Sequence, residues 1–96
     1  MHKIKYSDTA KKDLNNLKKT GQTKKLAKIK NAVKKLEENP KHPGLHTHKN
    51  SSVKSPFGGE TFQSYVENKT PAAFRVFWCY GPDKSEITIF AITPHP

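Results

Sequence analysis

Residues 72–80 read AAFRVFWCY, a run in which Phe74, Val76, Trp78 and Tyr80 share one face of an extended chain while Ala73, Arg75, Phe77 and Cys79 share the other. Aromatic and β-branched residues dominate it, which is strand chemistry. On its amino-terminal side, residues 61–67 have the same character, and Asn68-Lys69-Thr70-Pro71 supplies a turn, so the two runs predict a hairpin. On the other side, Gly81-Pro82-Asp83-Lys84 makes a second turn into residues 86–93, where Ile87, Thr88, Ile89, Ile92 and Thr93 leave both faces apolar. A strand apolar on both faces belongs in the middle of a sheet or under good cover. Further upstream, Leu45-His46-Thr47-His48-Lys49 reads as a weak polar strand after Pro43-Gly44, followed by a loop at residues 50–59 expected to be mobile.

The first forty residues follow a different period. Ile4 and Tyr6 alternate with Lys3 and Lys5 as in a short half-exposed strand. Ser7 or Asp8 can cap a helix carrying Ala10, Leu14 and Leu17 until Gly21 interrupts it. A second helix starts near Thr23, lines up Leu26, Ile29, Val33 and Leu36, and stops at Asn39-Pro40. Each helix needs an apolar surface that only the strands can offer. The expected architecture is α+β: an N-terminal strand and a helical hairpin packed on a mostly antiparallel twisted sheet of about four strands, in a single domain spanning residues 1–96.

Composition narrows the partners. Eighteen Lys+Arg against 8 Asp+Glu give a formal charge of +10, which favours nucleic acid, an anionic surface or an acidic protein. Ten of the lysines lie between positions 11 and 35, where Asp13 is the only acid. Like charges at helical spacing, Lys24 with Lys28 and Lys30 with Lys34, repel by a few tenths of a kcal/mol each, which a phosphate partner would relieve. The single Cys79 rules out an intramolecular disulfide and a cysteine-based zinc site and suits a reducing cytoplasm. No run approaches the roughly 18 apolar residues of a membrane span, so no membrane role is expected.

Arg75 is the one arginine among the 18 basic residues, set between Phe74 and Val76 where a guanidinium is costly to desolvate. It calls for an anion, either a phosphate or a carboxylate of Glu60, Glu67 or Glu86 on a neighbouring strand. His46 and His48, two apart, would point their rings to one side of a strand. Two ligands do not make a zinc site, and His2, His42 and His95 lack diagnostic spacing, so no metal and no cofactor is expected. Lys49 beside the histidines reads as a basic strand facing phosphate. His95, stiffened between Pro94 and Pro96, could give or take a proton. Tyr65 is the aromatic best placed to stack or hydrogen-bond beside a cationic cleft. Gly-rich phosphate loops, a His-Glu-x-x-His helix and a nucleophile elbow are absent.

The order of strand, two lysine-rich helices closed by Glu38-Asn39-Pro40, basic strand, Tyr65-Val66-Glu67-Asn68 and Ala73-Phe74-Arg75-Val76-Phe77-Trp78 resembles the RelE/ParE superfamily of bacterial type II toxins over nearly the whole length. The resemblance implies a small toxin restrained by a cognate antitoxin protein. Once free, it would cleave mRNA on the ribosome, as RelE-like members do, or inhibit DNA gyrase, as ParE-like members do. It implies that Arg75 contacts the scissile phosphate, that Lys49, and after it Lys54, supplies a further cation, and that His95 serves as acid or base. The residues themselves add His46 or His48 as its partner and Tyr65 as a substrate contact. Where relatives commonly carry another basic residue on the strand before the arginine, this chain has Phe62-Gln63-Ser64-Tyr65, and the C-terminal helix of some relatives is missing. A non-catalytic basic module that binds RNA or an antitoxin is the remaining alternative.

Overall fold

The computed structural model describes residues 1–67 and 73–94. The turn expected at residues 68–71 and His95 lie outside the described residues. Elements follow in the order β1 (Lys3–Tyr6), α1 (Asp8–Lys19), α2 (Thr23–Glu38), a 3₁₀ turn (Pro43–Leu45), β2 (His48–Lys49), β3 (Phe62–Tyr65), β4 (Phe74–Tyr80) and β5 (Glu86–Pro94).

The strands form one sheet in the order β1-β5-β4-β3-β2. Every neighbouring pair is antiparallel except β1 with β5, which run parallel from Lys3 opposite Glu86 to Tyr6 opposite Ile89. The sheet thus has five strands where about four were expected, and the apolar residues of β5 are explained by its inner position. The expected strand at residues 45–49 shrinks to its last two residues. Leu45 closes the 3₁₀ turn and enters the core, and His46 takes a left-handed conformation with φ 47°, which breaks the extended run.

Ser7 caps α1, its hydroxyl oxygen accepting the Ala10 amide at 3.1 Å, an arrangement worth about 1 kcal/mol. The same hydroxyl donates to the Phe90 carbonyl at 3.1 Å, and the Asp13 carboxylate accepts the Ile92 amide at 3.1 Å. These two contacts serve the second half of β5, which extends past its pairing with β1 and leaves backbone groups without a ladder on that side. The lone acid of the lysine-rich stretch is therefore employed on the sheet.

Both helices lay Ala10, Leu17, Ile29, Val33 and Leu36 against Val76, Trp78, Ile87, Ile89 and Ile92. Ile89 and Ile92 could not share a face in a regular strand. The β4–β5 register shifts between Phe77 and Trp78, leaving Phe90 unmatched, and this bulge reverses the parity so that Ile92 also turns to the helices and is 2% exposed. A buried chain of hydroxyls crosses the same core. The Trp78 indole donates to Ser64 Oγ at 2.8 Å, Ser64 meets Thr47 Oγ1 at 2.7 Å, and Thr47 donates to the Pro40 carbonyl at 3.1 Å. It links β4, β3, the approach to β2 and the end of α2.

The 50–60 loop is organised by hydrogen bonds. Thr61 Oγ1 donates to the Asn50 and Val53 carbonyls, and the Asn50 side-chain oxygen accepts from the Ser52 amide. Phe57 lies over Gly81, where φ is 126° and an added Cβ would come within 2.9 Å of that ring, so a side chain there would be strained and crowded. Burial and a hydrogen bond from Ser55 act in opposite senses on the Cys79 thiol beneath; burial prevails and pushes its pKa up, as for a cysteine that packs in the interior.

Candidate nucleic-acid interface and active site

The sheet face turned away from the helices is fixed by strand parity. Tyr65 pairs with Arg75 and Gln63 with Phe77 across β3–β4, His48 pairs with Gln63 across β2–β3, and Thr93 flanks Arg75 from β5. Alternate residues of three adjacent strands thereby gather His48, Gln63, Tyr65 and Arg75 on one surface. His46, just before β2, joins them. Its ring centroid is 6.1 Å from that of Tyr65, and His48 meets the same ring edge-on at 5.9 Å.

Arg75 is half-buried. Its Nη1 donates to Gln63 Oε1 at 3.0 Å, and its guanidinium carbon Cζ lies 5.2 Å from the centre of the Phe77 ring, a cation–π contact. Its Nε is sealed from solvent and has no hydrogen-bond partner among the described residues. The three carboxylates considered as partners are engaged by lysines: Glu60 by Lys49 at 3.1 Å, Glu67 by Lys25 at 2.6 Å and Lys28 at 3.2 Å, and Glu86 by Lys5 at 2.9 Å. Among the described residues no carboxylate comes within ion-pair distance of Arg75. A buried N–H of a charged group without a partner is rare in folded proteins and marks a place where an acceptor belongs.

His48 Nδ1 lies 3.1 Å from the His46 carbonyl oxygen. A carbonyl can only accept, so Nδ1 carries the proton of the neutral ring and Nε2 is left as its basic nitrogen. Both histidines are exposed, and no acidic side chain is bonded to either ring among the described residues. Glu67, two residues past β3, is held below the usual carboxylate range by its hydrogen bond from Lys25 and then by Lys28, against the opposing effect of burial.

The other expected site residues sit elsewhere. Lys49 pairs with Phe62, so its parity is that of the helix-covered face, and its ammonium rests on exposed Glu60. It lines an open groove of about 410 Å³ with Lys41, His42, His46, His48 and Phe62. It also borders a second groove of about 640 Å³, where Lys54 lies. The structure thus brings Arg75, Tyr65, His46 and His48 together and sets Lys49 and Lys54 along the rim beyond β2. His95 is outside the described residues. Sequence reading passed over Gln63 and Asn50. The Asn50 amide donates to Gln63 Oε1 at 2.8 Å, the same oxygen that Arg75 uses. Parity with Tyr65 was the available signal for Gln63; nothing local marked Asn50.

Such a group of donors, two imidazoles and a phenol can hold an oxyanion and move a proton beside it. Among the described residues no cluster of three or more His, Cys, Asp or Glu converges as for a metal ion, and no helix is long and apolar enough to cross a membrane.

No protein-family model matches the sequence, and no curated protein matches it. Solved structures do. A YoeB/ParE toxin from Agrobacterium tumefaciens is similar with a TM-score of 0.71 at 11% identity, over 98% of this chain and 99% of that one. The YoeB-YefM complex from Staphylococcus aureus gives 0.66 at 20% identity over 100% and 99%. The archaeal RelE-RelB complex from Pyrococcus horikoshii OT3 gives 0.65 at 15% identity over 97% and 93%. The chain has the RelE/ParE-type toxin fold.

Proposed function

We propose that this chain with a RelE/ParE-type fold is the toxin of a type II toxin–antitoxin pair, and that when free it is a ribosome-dependent, metal-independent endoribonuclease that cleaves mRNA and stops translation in the cytoplasm. Full-length likeness to toxins, two of them solved as YoeB-YefM and RelE-RelB complexes, supports the toxin role and a cognate antitoxin partner. The single observation that carries the nuclease reading is the Arg75 guanidinium, with a sealed Nε that has no partner and no carboxylate beside it among the described residues, on a face shared with two histidines and a tyrosine.

In this reading Arg75 binds the scissile phosphate and stabilises the charge that grows on its oxygens during attack by the neighbouring 2′-hydroxyl. Nε2 of His48 takes the hydroxyl proton. The oxygen forms a bond to phosphorus, giving a 2′,3′-cyclic phosphate, and the bond to the 5′-oxygen breaks. That oxygen leaves as a hydroxyl with a proton from His46 or His95, while Tyr65 stacks against a base. Lys54 and Lys49 follow the backbone along the rim, and Lys49 is available for this because an exposed ion pair such as that with Glu60 is worth only about 0–1 kcal/mol. The lysines of α1 and α2 steer the protein to ribosomal RNA with little sequence preference.

Primer extension on translated messages tests the proposal: the wild-type chain should give cuts that require the ribosome, and Arg75→Ala should not. A second reading is favoured by the parity of Lys49, which turns one expected cation away from Arg75. There the chain is a non-catalytic module binding RNA or an antitoxin, and neither chain would cut. A ParE-like gyrase inhibitor would instead block supercoiling and leave messages intact.

A further inference from the structure

The environment of Gln63 is unusual for a neutral side chain that is 3% exposed. Its carboxamide oxygen accepts twice, from Arg75 Nη1 at 3.0 Å and from Asn50 Nδ2 at 2.8 Å. A guanidinium has no acceptor, so the atom facing Nη1 must be the oxygen, and this sets the sense of the amide by chemistry. Asn50 is set in the same way, because its own oxygen accepts from the Ser52 amide at 3.1 Å and from the Ser52 hydroxyl. Polarity therefore runs in one direction, from Ser52 through Asn50 to Gln63, and from Arg75 to the same oxygen.

What remains unmatched in this network is all donor. No described residue accepts from the Gln63 carboxamide nitrogen, and the Arg75 Nε is sealed without a partner. Two donors on adjacent strands, one with no acceptor and the other with its acceptor oxygen already engaged, are the complement of an oxyanion. We infer that Gln63 is a second anion-binding residue of this site, donating its carboxamide N–H groups to the phosphodiester that Arg75 holds, and that Asn50 is the positioning residue that keeps the amide in that sense. The inference rests on the nuclease reading for the identity of the anion. It also gives the site a neutral donor at a strand position where a second cation was looked for.

The test uses the isotopically labelled wild-type chain and follows side-chain N–H signals by two-dimensional ¹H–¹⁵N spectroscopy. Inorganic phosphate, and then a dinucleotide made uncleavable by a 2′-O-methyl group, are added at ionic strength held constant with chloride. The Gln63 carboxamide pair and the Arg75 Nε–H should move together with one dissociation constant. An Arg75 signal that moves while Gln63 stays still overturns the role of Gln63 and leaves the anion site standing. If neither moves, Arg75 is no anion site, and the inference fails together with the nuclease reading. Gln63→Met, which keeps the length and removes the donors, should weaken dinucleotide binding roughly tenfold. Asn50→Ala should weaken it about threefold, and Asn50→Ala added to Gln63→Met should weaken it no further, since Asn50 acts through Gln63. Additive losses in the double variant overturn the positioning role.

Discussion

Tyr65 and Arg75 are directly opposed across the β3–β4 ladder, which sets a phenol beside a guanidinium on the sheet face that the helices leave open. Removing the guanidinium costs that face its charge while the helix-side core stays intact. Arg75→Ala should lower ribosome-dependent cleavage by ~10²–10³, the usual loss for one preorganised charge contact, with thermal unfolding little changed. Arg75→Lys should recover little, because an ammonium cannot donate to Gln63 and to an anion in the same planar fork.

His48 and Lys49 are neighbours in β2 with opposite parity, so they should separate in a rate assay. His48→Gln is expected to reduce the cleavage rate by ~10²–10⁴, in the range of a lost general base. Lys49→Ala should cost no more than a few-fold and should flatten the salt dependence of RNA binding, as for the loss of one backbone contact. Rates measured side by side on one message at two salt concentrations decide this.

Ser64 lies at the middle of the buried hydroxyl chain and is completely sealed. Ser64→Ala leaves the Trp78 indole N–H with no acceptor and should destabilise the fold by about 1–3 kcal/mol. Urea unfolding followed by Trp78 fluorescence would show a lower midpoint with an unchanged slope.

Glu67 gives the fold an acid-sensitive contact, because hydrogen bonding from Lys25 and Lys28 lowers its pKa in the folded state. A carboxyl that is more acidic folded than unfolded adds stability above its unfolded pKa, and that stability is lost as pH falls through the folded value. The wild-type chain should therefore exceed Glu67→Gln in stability by about 1–3 kcal/mol at neutral pH. The gap should narrow on acidification and close once the carboxyl is protonated in both states. Denaturation midpoints across an acid series measure it.

Asp13 reaches the Ile92 amide from α1, where it also relieves the positive charge of its neighbours. Asp13→Ala should cost about 1–3 kcal/mol, more than a typical exposed helical substitution, and should speed amide exchange at Ile92 in particular. Uniform exchange along β5 would contradict the contact.

Much of this fold could be read locally. The helical stripes of Leu17 and Ile29, the Ser7 cap and the alternation around Arg75 are properties of short windows, and each is found in place. The misses needed information from distant parts of the chain. A two-residue β2 has no period to detect, and the left-handed turn at His46 follows from docking Leu45 into the core. The bulge at Phe90 shows in sequence only as apolar residues on both faces of β5, which central placement explains equally well. At the candidate site, Arg75, Tyr65, His46 and His48 stood out by residue type and spacing. Asn50 did not, because its relation to Gln63 exists only once the loop has folded back on β3. Lys49 was chosen for its charge, and its pairing with Phe62 decides which way it faces.

The parallel pairing of β1 with β5 has a consequence for how the molecule comes into being. Partners such as Ile4 and Ile87 are separated by most of the polypeptide, so the sheet cannot close until the closing segment has been synthesised and has emerged. Up to that moment the opening strand has no partner and the helices lack the part of their hydrophobic floor that β5 supplies, and a product interrupted before Glu86 would lack the strand that joins β1 to β4. Folding is thus coupled to synthesis of β5, and nascent fragments that lack it should be protease-sensitive where a chain that includes it resists.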